Sequence, residues 1–144
     1  EVANAGLSSG FRNLAYISAI GLCVPKDKVK AVKLYTKAAD MGNVKAQCNL
    51  AVMHRYGNGT PIDFEKAFFW YSKSAEAGYF RAQATLGTMY FNGECVPKNL
   101  AEAAYWYRRA ADNGSSRGMY LLALMLYNGE CVSADAEETL SLMR

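Results

Sequence analysis

The chain has 144 residues, about half of them hydrophobic, which is enough for a single domain with a buried core. No run approaches the ~18–20 continuous apolar residues of a membrane-spanning helix, the apolar stretch 120–127 being far too short, so membrane insertion is not expected. The net charge of +3 neither demands nor excludes an anionic partner, and without a dense Lys/Arg cluster interleaved with aromatic residues nucleic acid is not expected either.

The sequence repeats itself every 36 residues without a gap. Gly6, Gly42, Gly78 and Gly114 form one row, and Gly21, Gly57, Gly93 and Gly129 a second. Pro25, Pro61 and Pro97 share a row, as do Leu14, Leu50, Leu86 and Leu122, and Tyr35, Tyr71 and Tyr107. A fixed period of this size is the signature of stacked supersecondary units. It predicts one array with repeats over about 7–42, 43–78, 79–114 and 115–144, the last incomplete. The opening residues Val2–Gly6 match Ala38–Gly42, the end of a repeat. The sequence therefore reads as a piece of a longer array, upstream of which a targeting segment can lie.

The second repeat shows how one unit is built. Ala46, Leu50 and Met53, with Ala51 beside them, recur at spacings of three and four and predict a helix over Val44–Tyr56. Gly57 ends it, since glycine adopts the left-handed conformation at no steric cost. Pro61 in the following loop cannot continue a helix and biases Thr60 to extended backbone. Asp63 is the predicted N-cap of a second helix, with Asp27, Asn99 and Asp135 on the same row. Asn99 and Asp135 also carry Glu102 and Glu138 three residues on, a capping-box arrangement.

The second helix is expected to run to about Ala77, to bury Phe64, Ala67, Trp70, Tyr71, Ser74 and Ala75, and to end at Gly78. Lys37, Lys73 and Arg109 fall in the last turns of these helices, where cations complement the helix dipole, and Asp40, Glu76 and Asp112 beyond them read as a solvated face. Rows of small residues let the axes approach: Ala15, Ala51, Gly87 and Ala123 make one, Ala39, Ala75 and Ala111 another, and Gly10, Ala46, Ala82 and Gly118 a third. Trp70 and Trp106 read as core. No helix pair can bury its apolar stripe alone, so neighbouring repeats complete each core. The copy over Ala82–Gly114 is the most regular, and the last is the least, with Thr139 and Met143 where the others have alanine and tyrosine.

Cys23, Cys95 and Cys131 share a row that Gly59 completes, and Cys48 lies mid-helix on another. Equivalent positions in stacked repeats stand about 8–10 Å apart, whereas a disulfide needs Cα atoms within about 7 Å. The cysteines are therefore expected as thiols, which slightly favours a reducing, cytoplasmic compartment, while export stays open because the array reads as cut from a longer chain. There is no C-x-x-C, and His54 is the single histidine, so neither a metal site nor a cofactor is expected. His54 falls on the packing face as a hydrogen-bonded filler.

The order A-x-x-x-L-[GA]-x-M-Y-x-x-G-x-[GC]-x-P-x-[DN]-x-x-x-A-x-x-W-Y-x-[KR]-A-A-[DE]-x-G, best kept from Ala82 to Gly114, resembles the Sel-one-like repeat, a relative of the tetratricopeptide repeat. The resemblance covers the chain in about four copies. It implies an all-α fold, a right-handed α/α superhelix or solenoid of helix-turn-helix repeats with the first helices on the concave side. It also implies a role as an adaptor or scaffold in protein complexes. Cys23, Cys95 and Cys131 depart from the second glycine of the family's G-x-G loop, which leaves the loop geometry there open. Ser18, His54 and Leu126 depart from the tyrosine kept at Tyr90. The cysteine-rich branch of the family suggests β-lactam binding or hydrolysis as an alternative. That branch pairs cysteines within each repeat, which this sequence does not, and neither a Ser/Lys motif nor a nucleophile elbow is present. A purely structural spacer is the other alternative.

In a solenoid the rows not needed for packing are available to partners. Opposite the packing face of Val44–Tyr56 lie Lys45, Cys48, Asn49, Val52, Arg55 and Tyr56. Their equivalents are Arg12, Asn13 and Tyr16 in the first repeat and Arg81, Thr85, Thr88, Phe91 and Asn92 in the third. The fourth contributes Arg117, Tyr120, Leu121, Leu124 and Tyr127. This mixture of basic, polar and aromatic groups suits a protein or peptide partner with some acidic character. Lys45, Arg81 and Arg117 stand in the first turns of their helices, where a cation opposes the dipole by a few tenths of a kcal/mol. The row reads either as a ladder for carboxylates or as a solubilising surface.

Overall fold

The structure, a computed structural model, describes residues 2–22 and 24–130. The expectations on Cys23, Cys131, Asp135, Glu138, Thr139 and Met143 lie outside these residues. Among the described residues seven helices follow one another: α1 (Val2–Ile20), α2 (Lys28–Asp40), α3 (Val44–Tyr56), α4 (Phe64–Glu76), α5 (Phe80–Asn92), α6 (Leu100–Asp112) and α7 (Ser116–Tyr127). No strand occurs among the described residues. Most of these helices have 13 residues, a length that is marginal for an isolated helix in water, so their stability comes from packing.

The boundaries follow from local chemistry. Asp27 Oδ1 accepts from the Lys30 amide at 2.9 Å, Asp63 from Lys66 at 3.0 Å, and Asn99 from Glu102 at 3.1 Å. Each of these side chains satisfies one of the N–H groups that a helix start leaves orphaned. Helices α3 and α7 have side-chain caps that the repeat pattern did not reveal, whereas α5 starts after Tyr79 without one. Asn43 accepts from Ala46 at 3.0 Å and Ser115 from Gly118 at 2.9 Å. Gly57 and Gly93 close α3 and α5 in the left-handed region, at φ 69° and 72°.

One boundary differs from the reading of the repeats. Val2–Gly6 aligns with a helix end and a turn, yet α1 runs straight through Gly6. A glycine inside a helix costs only about 1 kcal/mol relative to alanine, less than ending one helix and nucleating another.

The chain divides into two compact units, Glu1–Ser74 and Ala75–Arg144. In the first, α2 packs against both α1 and α3. Ala15, Ala31, Tyr35, Ala38, Ala46 and Leu50 form its core, and Phe11, Val32 and Trp70 lie partly buried against it. The alanines allow close approach, and the tyrosine fills the space they leave. The Ser74 hydroxyl donates to the Val44 carbonyl at 2.7 Å and ties α4 to the start of α3. In the second unit, α6 packs against α5 and α7, and Ala103, Tyr107, Leu122 and Met125 form the centre. A Cβ added at Gly87 would meet the Tyr107 ring at 2.7 Å, and one at Gly118 would meet Ala110 Cβ at 2.8 Å. These two glycines therefore mark the closest helix contacts of the unit.

Three expectations about burial need correction. Phe64 is 47% exposed. It is the first residue of α4, and a helical side chain leans toward the N-terminus, past the helix end rather than onto the core. Trp70 is half-buried rather than core, while Trp106 is buried as expected. Cys48, expected on the open face of α3, is only 6% exposed and lies beside Tyr71 of α4. Among the leucines, Leu50, Leu86 and Leu122 are each 1% exposed but Leu14 is 53% exposed. Leu50 packs in one cluster with Tyr35 and Ala38 of the preceding helix, a cover that Leu14 lacks among the described residues.

The cations near the ends of the second helices do more than face a dipole. Lys37 lies over the Phe11 ring at 5.1 Å, Lys73 over Trp70 at 5.9 Å, and Arg109 over Trp106 at 5.2 Å. Each contact is a cation–π interaction that also covers the apolar ring. A row of buried glutamines adds a polar clamp. Gln47 Nε2 donates to the Ala39 carbonyl at 3.2 Å, and Gln83 Nε2 to the Ala75 carbonyl at 3.0 Å. Gln83 Oε1 in turn accepts from Asn113 Nδ2 at 2.9 Å. The clamp adds a second donor to carbonyls near helix C-termini that already accept from the Gly42 and Gly78 amides of the turns, each at 3.0 Å.

Candidate functional site

Apart from the buried Cys48, the residues expected to face a partner are at least partly exposed, and contacts hold several of them. In the first unit, Arg12 donates to Asn13 Oδ1 at 3.3 Å. Tyr16 and Tyr56 are more than half exposed, at 56% and 60%, and Arg55 lies over the Tyr56 ring at 5.3 Å. Asn49 hydrogen-bonds Tyr35, and Arg55 hydrogen-bonds Tyr71. Val52 is half-buried and Lys45 exposed.

In the second unit, Arg81 lies over the Phe80 ring at 5.9 Å, and Thr85 Oγ1 donates to the Arg81 carbonyl at 3.0 Å. Thr88 Oγ1 and the Tyr107 hydroxyl stand 3.0 Å apart. Phe91 carries Lys98 over its ring at 5.7 Å, and Asn92 Nδ2 donates to Glu94 Oε1 at 3.3 Å. Arg117 is exposed, as are Tyr120 at 65% and Leu124 at 40%.

A regular feature emerges that residue patterns alone did not show. The buried tyrosines Tyr35, Tyr71 and Tyr107 each send a hydroxyl to a candidate-face residue, namely Asn49, Arg55 and Thr88. All three phenols are held above the ordinary value of 10, chiefly by burial. For Tyr107, the hydrogen bond to Thr88 and the nearby Arg117 charge act in the opposite direction. The rings are core and the oxygens reach toward the open face, so the row serves both packing and surface.

Two cavities gather some of the candidates. In the first unit a cavity of about 460 Å³ lies between α1 and the turn before α3, with Arg12 and Lys45 on its lining beside Ser8, Ser9 and Asn43. In the second unit a narrower cavity of about 240 Å³ lies between α5 and α7. Phe91, Leu121, Leu124 and Met125 give it an apolar wall, and Thr88, Asn92, Asn128 and Arg117 a polar one. Asn13, Tyr16, Asn49, Val52, Arg55 and Tyr56 line neither cavity, nor do Arg81, Thr85 and Tyr120. Of the basic row in the second unit, the groove thus takes Arg117 and leaves Arg81 stacked on Phe80. Asn128, Glu130, Met125 and Tyr107 are the lining residues that sequence reasoning did not assign to this face. Asn128 and Glu130 lie just past the end of α7, and Tyr107 and Met125 fall on the rows of Tyr71 and Met53, which were read as packing.

His54 is buried as expected, but its Nδ1 has no hydrogen-bond partner, so it is not the fully bonded filler that was anticipated. Burial first, and the charge of Lys66 second, hold its pKa below the ordinary 6.5, with Asp63 acting the other way. The unfolded chain thus binds a proton that the folded chain refuses. The His54 contribution is fully present above about pH 6.5 and is lost as pH falls through the lower folded value. Thermal melts between about pH 7.5 and pH 5 are expected to show falling stability, and His54→Phe to flatten that slope. An unchanged slope in the variant would remove His54 from the account.

Cys48 is buried and Cys95 exposed, and both are thiols rather than disulfide partners. Among the described residues, no cluster of histidine, cysteine and acidic side chains could hold a metal ion, and no helix is long and apolar enough to cross a membrane.

Comparison with known proteins agrees with this architecture. The profile of the Sel1 repeat matches at residues 12–43, 44–79, 81–115 and 116–144. A search of curated proteins finds no match. Among solved structures, a Sel1 repeat protein from Oxalobacter formigenes is similar at 31% identity and a TM-score of 0.87, over 94% of this chain and 55% of that one. The protective antigen c5321 of uropathogenic Escherichia coli, described as displaying an SLR fold, is similar at 34% identity and a TM-score of 0.83, over 88% of this chain and 27% of that one. Cysteine-rich protein B of Helicobacter pylori shares the fold at 21% identity and a TM-score of 0.68, over 82% of this chain and 91% of that one. The chain thus spans about half or less of the first two proteins it resembles. Its fold is of the all-α helical-repeat class, and with four matched repeats the chain belongs to the Sel1 repeat family.

Proposed function

We propose that the chain is a non-catalytic interaction module that holds an extended peptide segment of a protein partner in the groove between α5 and α7. The observation that carries this reading is the composition of the 240 Å³ cavity, apolar on one side and rimmed by two carboxamides and a guanidinium on the other. The apolar wall can take one aliphatic or aromatic side chain. Asn92 and Asn128 each offer an acceptor and two donors, the complement of a peptide group. Sel1 repeats commonly serve as protein-interaction modules, which agrees with such a groove. Exposed Tyr120 and Leu124 extend the apolar surface beside it, as at a partner-binding patch. The cavity of the first unit, with Arg12 and Lys45 on its lining, supports a partner that carries acidic residues.

Selection from a random-heptamer display library tests the proposal. Leu124→Asp places a carboxylate on the apolar wall and is expected to weaken the selected peptides about tenfold or more, with an unchanged circular-dichroism melt. Selected peptides that bind this variant as tightly as the native chain would rule the groove out.

A further inference from the structure

The α5/α7 groove is asymmetric in charge along its length. Asn113, at the end of α6, bonds Gln83 near the start of α5, and Gly118, near the start of α7, faces Ala110 late in α6. Helices α5 and α7 are therefore each antiparallel to α6 and parallel to each other. Their positive N-terminal ends share one end of the groove and their negative C-terminal ends the other.

The side chains reinforce this polarity. Arg117 stands in the first turn of α7 and lines the cavity. Glu130 lines it just past the other end of α7, and Glu94 stands past the end of α5, accepting from Asn92 Nδ2. Lys98 is the opposing charge at that end and lies over the Phe91 ring. The rise from Arg117 to Asn128 is about 16 Å at ~1.5 Å per residue, the reach of about five residues of extended chain. The acids belong to the third and fourth repeats. Their row holds Leu22 and Asn58 in the first two, so repetition alone did not place them.

We propose that the groove selects segments of about five residues by charge polarity, with a carboxylate at the Arg117 end, an apolar side chain against Leu121 and Leu124, and a cationic group at the Glu130 end. This inference rests on the peptide-groove reading above. It adds that the partner's charge alternates across the apolar anchor rather than being uniformly acidic. Because the ligand's charges are matched at both ends, a segment acidic at both ends meets Glu130 unfavourably, and one basic at both ends meets Arg117 unfavourably.

The test uses fluorescence anisotropy with four labelled pentapeptides, acetylated and amidated to remove terminal charges. They are Asp-Gly-Leu-Gly-Lys, Asp-Gly-Leu-Gly-Asp, Lys-Gly-Leu-Gly-Lys and Ser-Gly-Leu-Gly-Ser. The native chain is expected to prefer the mixed peptide about tenfold over either like-charged one at low salt. Arg117→Glu makes both ends acidic and is expected to move the preference to the lysine–lysine peptide. Glu130→Lys is expected to move it to the aspartate–aspartate peptide. Both positions lie on the open surface or its edge, and a melt checks that each variant folds. An unaltered ranking in either variant overturns the polarity. If display-selected peptides bind through Leu124 while the four pentapeptides bind alike, the polarity is wrong and the groove reading stands. If no peptide of either kind binds, both fall.

Discussion

Replacing Gly59 by alanine is expected to cost about 3 kcal/mol of folding stability, the sum of two penalties of similar size. Gly59 has φ 78°, where an L-residue pays about 1–2 kcal/mol. A Cβ at this position would also overlap the Lys28 carbonyl at the start of α2, and backbone cannot yield as a flexible side chain would. The loop after α3 would have to lift away from α2, an overpacking cost of about 1–3 kcal/mol. In thermal denaturation the loss corresponds to a fall of roughly 10 °C for a chain of this size. Cys95 gives the internal control. It occupies the same row with φ 65°, so its side chain already tolerates the left-handed backbone. Cys95→Gly relieves that strain but frees the unfolded chain, and is expected to stay within about 1 kcal/mol of the native protein. A Gly59→Ala melt within experimental error of native would contradict the close approach to Lys28.

The second large effect is expected at Gln83. Its side chain is fully buried and joins the Ala75 carbonyl to the Asn113 carboxamide. Gln83→Leu keeps the volume roughly constant but removes both bonds, although the Ala75 carbonyl keeps the Gly78 amide at 3.0 Å and Asn113 is exposed to water. Two lost hydrogen bonds of about 0.5–1.5 kcal/mol each give a total of about 1–3 kcal/mol in urea denaturation. Gln47→Leu, which breaks one clamp bond to Ala39, is expected to cost about half as much. Equal losses at the two positions would show that the Asn113 bond adds nothing.

These two residues mark how far the sequence could be read. The bounds of α3, the caps at Asp27, Asp63 and Asn99 and the glycine stops were legible because each depends on a few neighbouring residues. The Gly59 row was only partly legible, since a cysteine where relatives have glycine leaves φ undetermined, and the backbone proves left-handed with either residue. Gln47 and Gln83 were silent, because a polar residue on a helix reads as surface until the carbonyl it bonds is placed. Cys48 was misplaced for a related reason. A helical wheel sees one packing stripe, but α3 also has α4 beside it, and the Tyr71 neighbour widens the buried arc.

The candidate face was legible as a set of open positions, and its subdivision was not. Which residues converge depends on the angle between α5 and α7 and on the loop ends that bring in Asn128 and Glu130. The tyrosine row shows the same limit. Its spacing announced core, whereas the bonds that Tyr35 and Tyr71 accept from Asn49 and Arg55, and the one Tyr107 shares with Thr88, required the neighbouring helix to be in place.

The central claim is that the α5/α7 groove is the partner-binding surface. The direct measurement is a two-dimensional ¹⁵N–¹H NMR titration of the labelled chain with a display-selected peptide. The account predicts that the largest amide shifts fall on Thr88–Asn92 and Leu121–Asn128, with Phe91 and Leu124 among them. Shifts confined instead to the outer sides of α2, α4 and α6, with the groove amides unmoved, would contradict it.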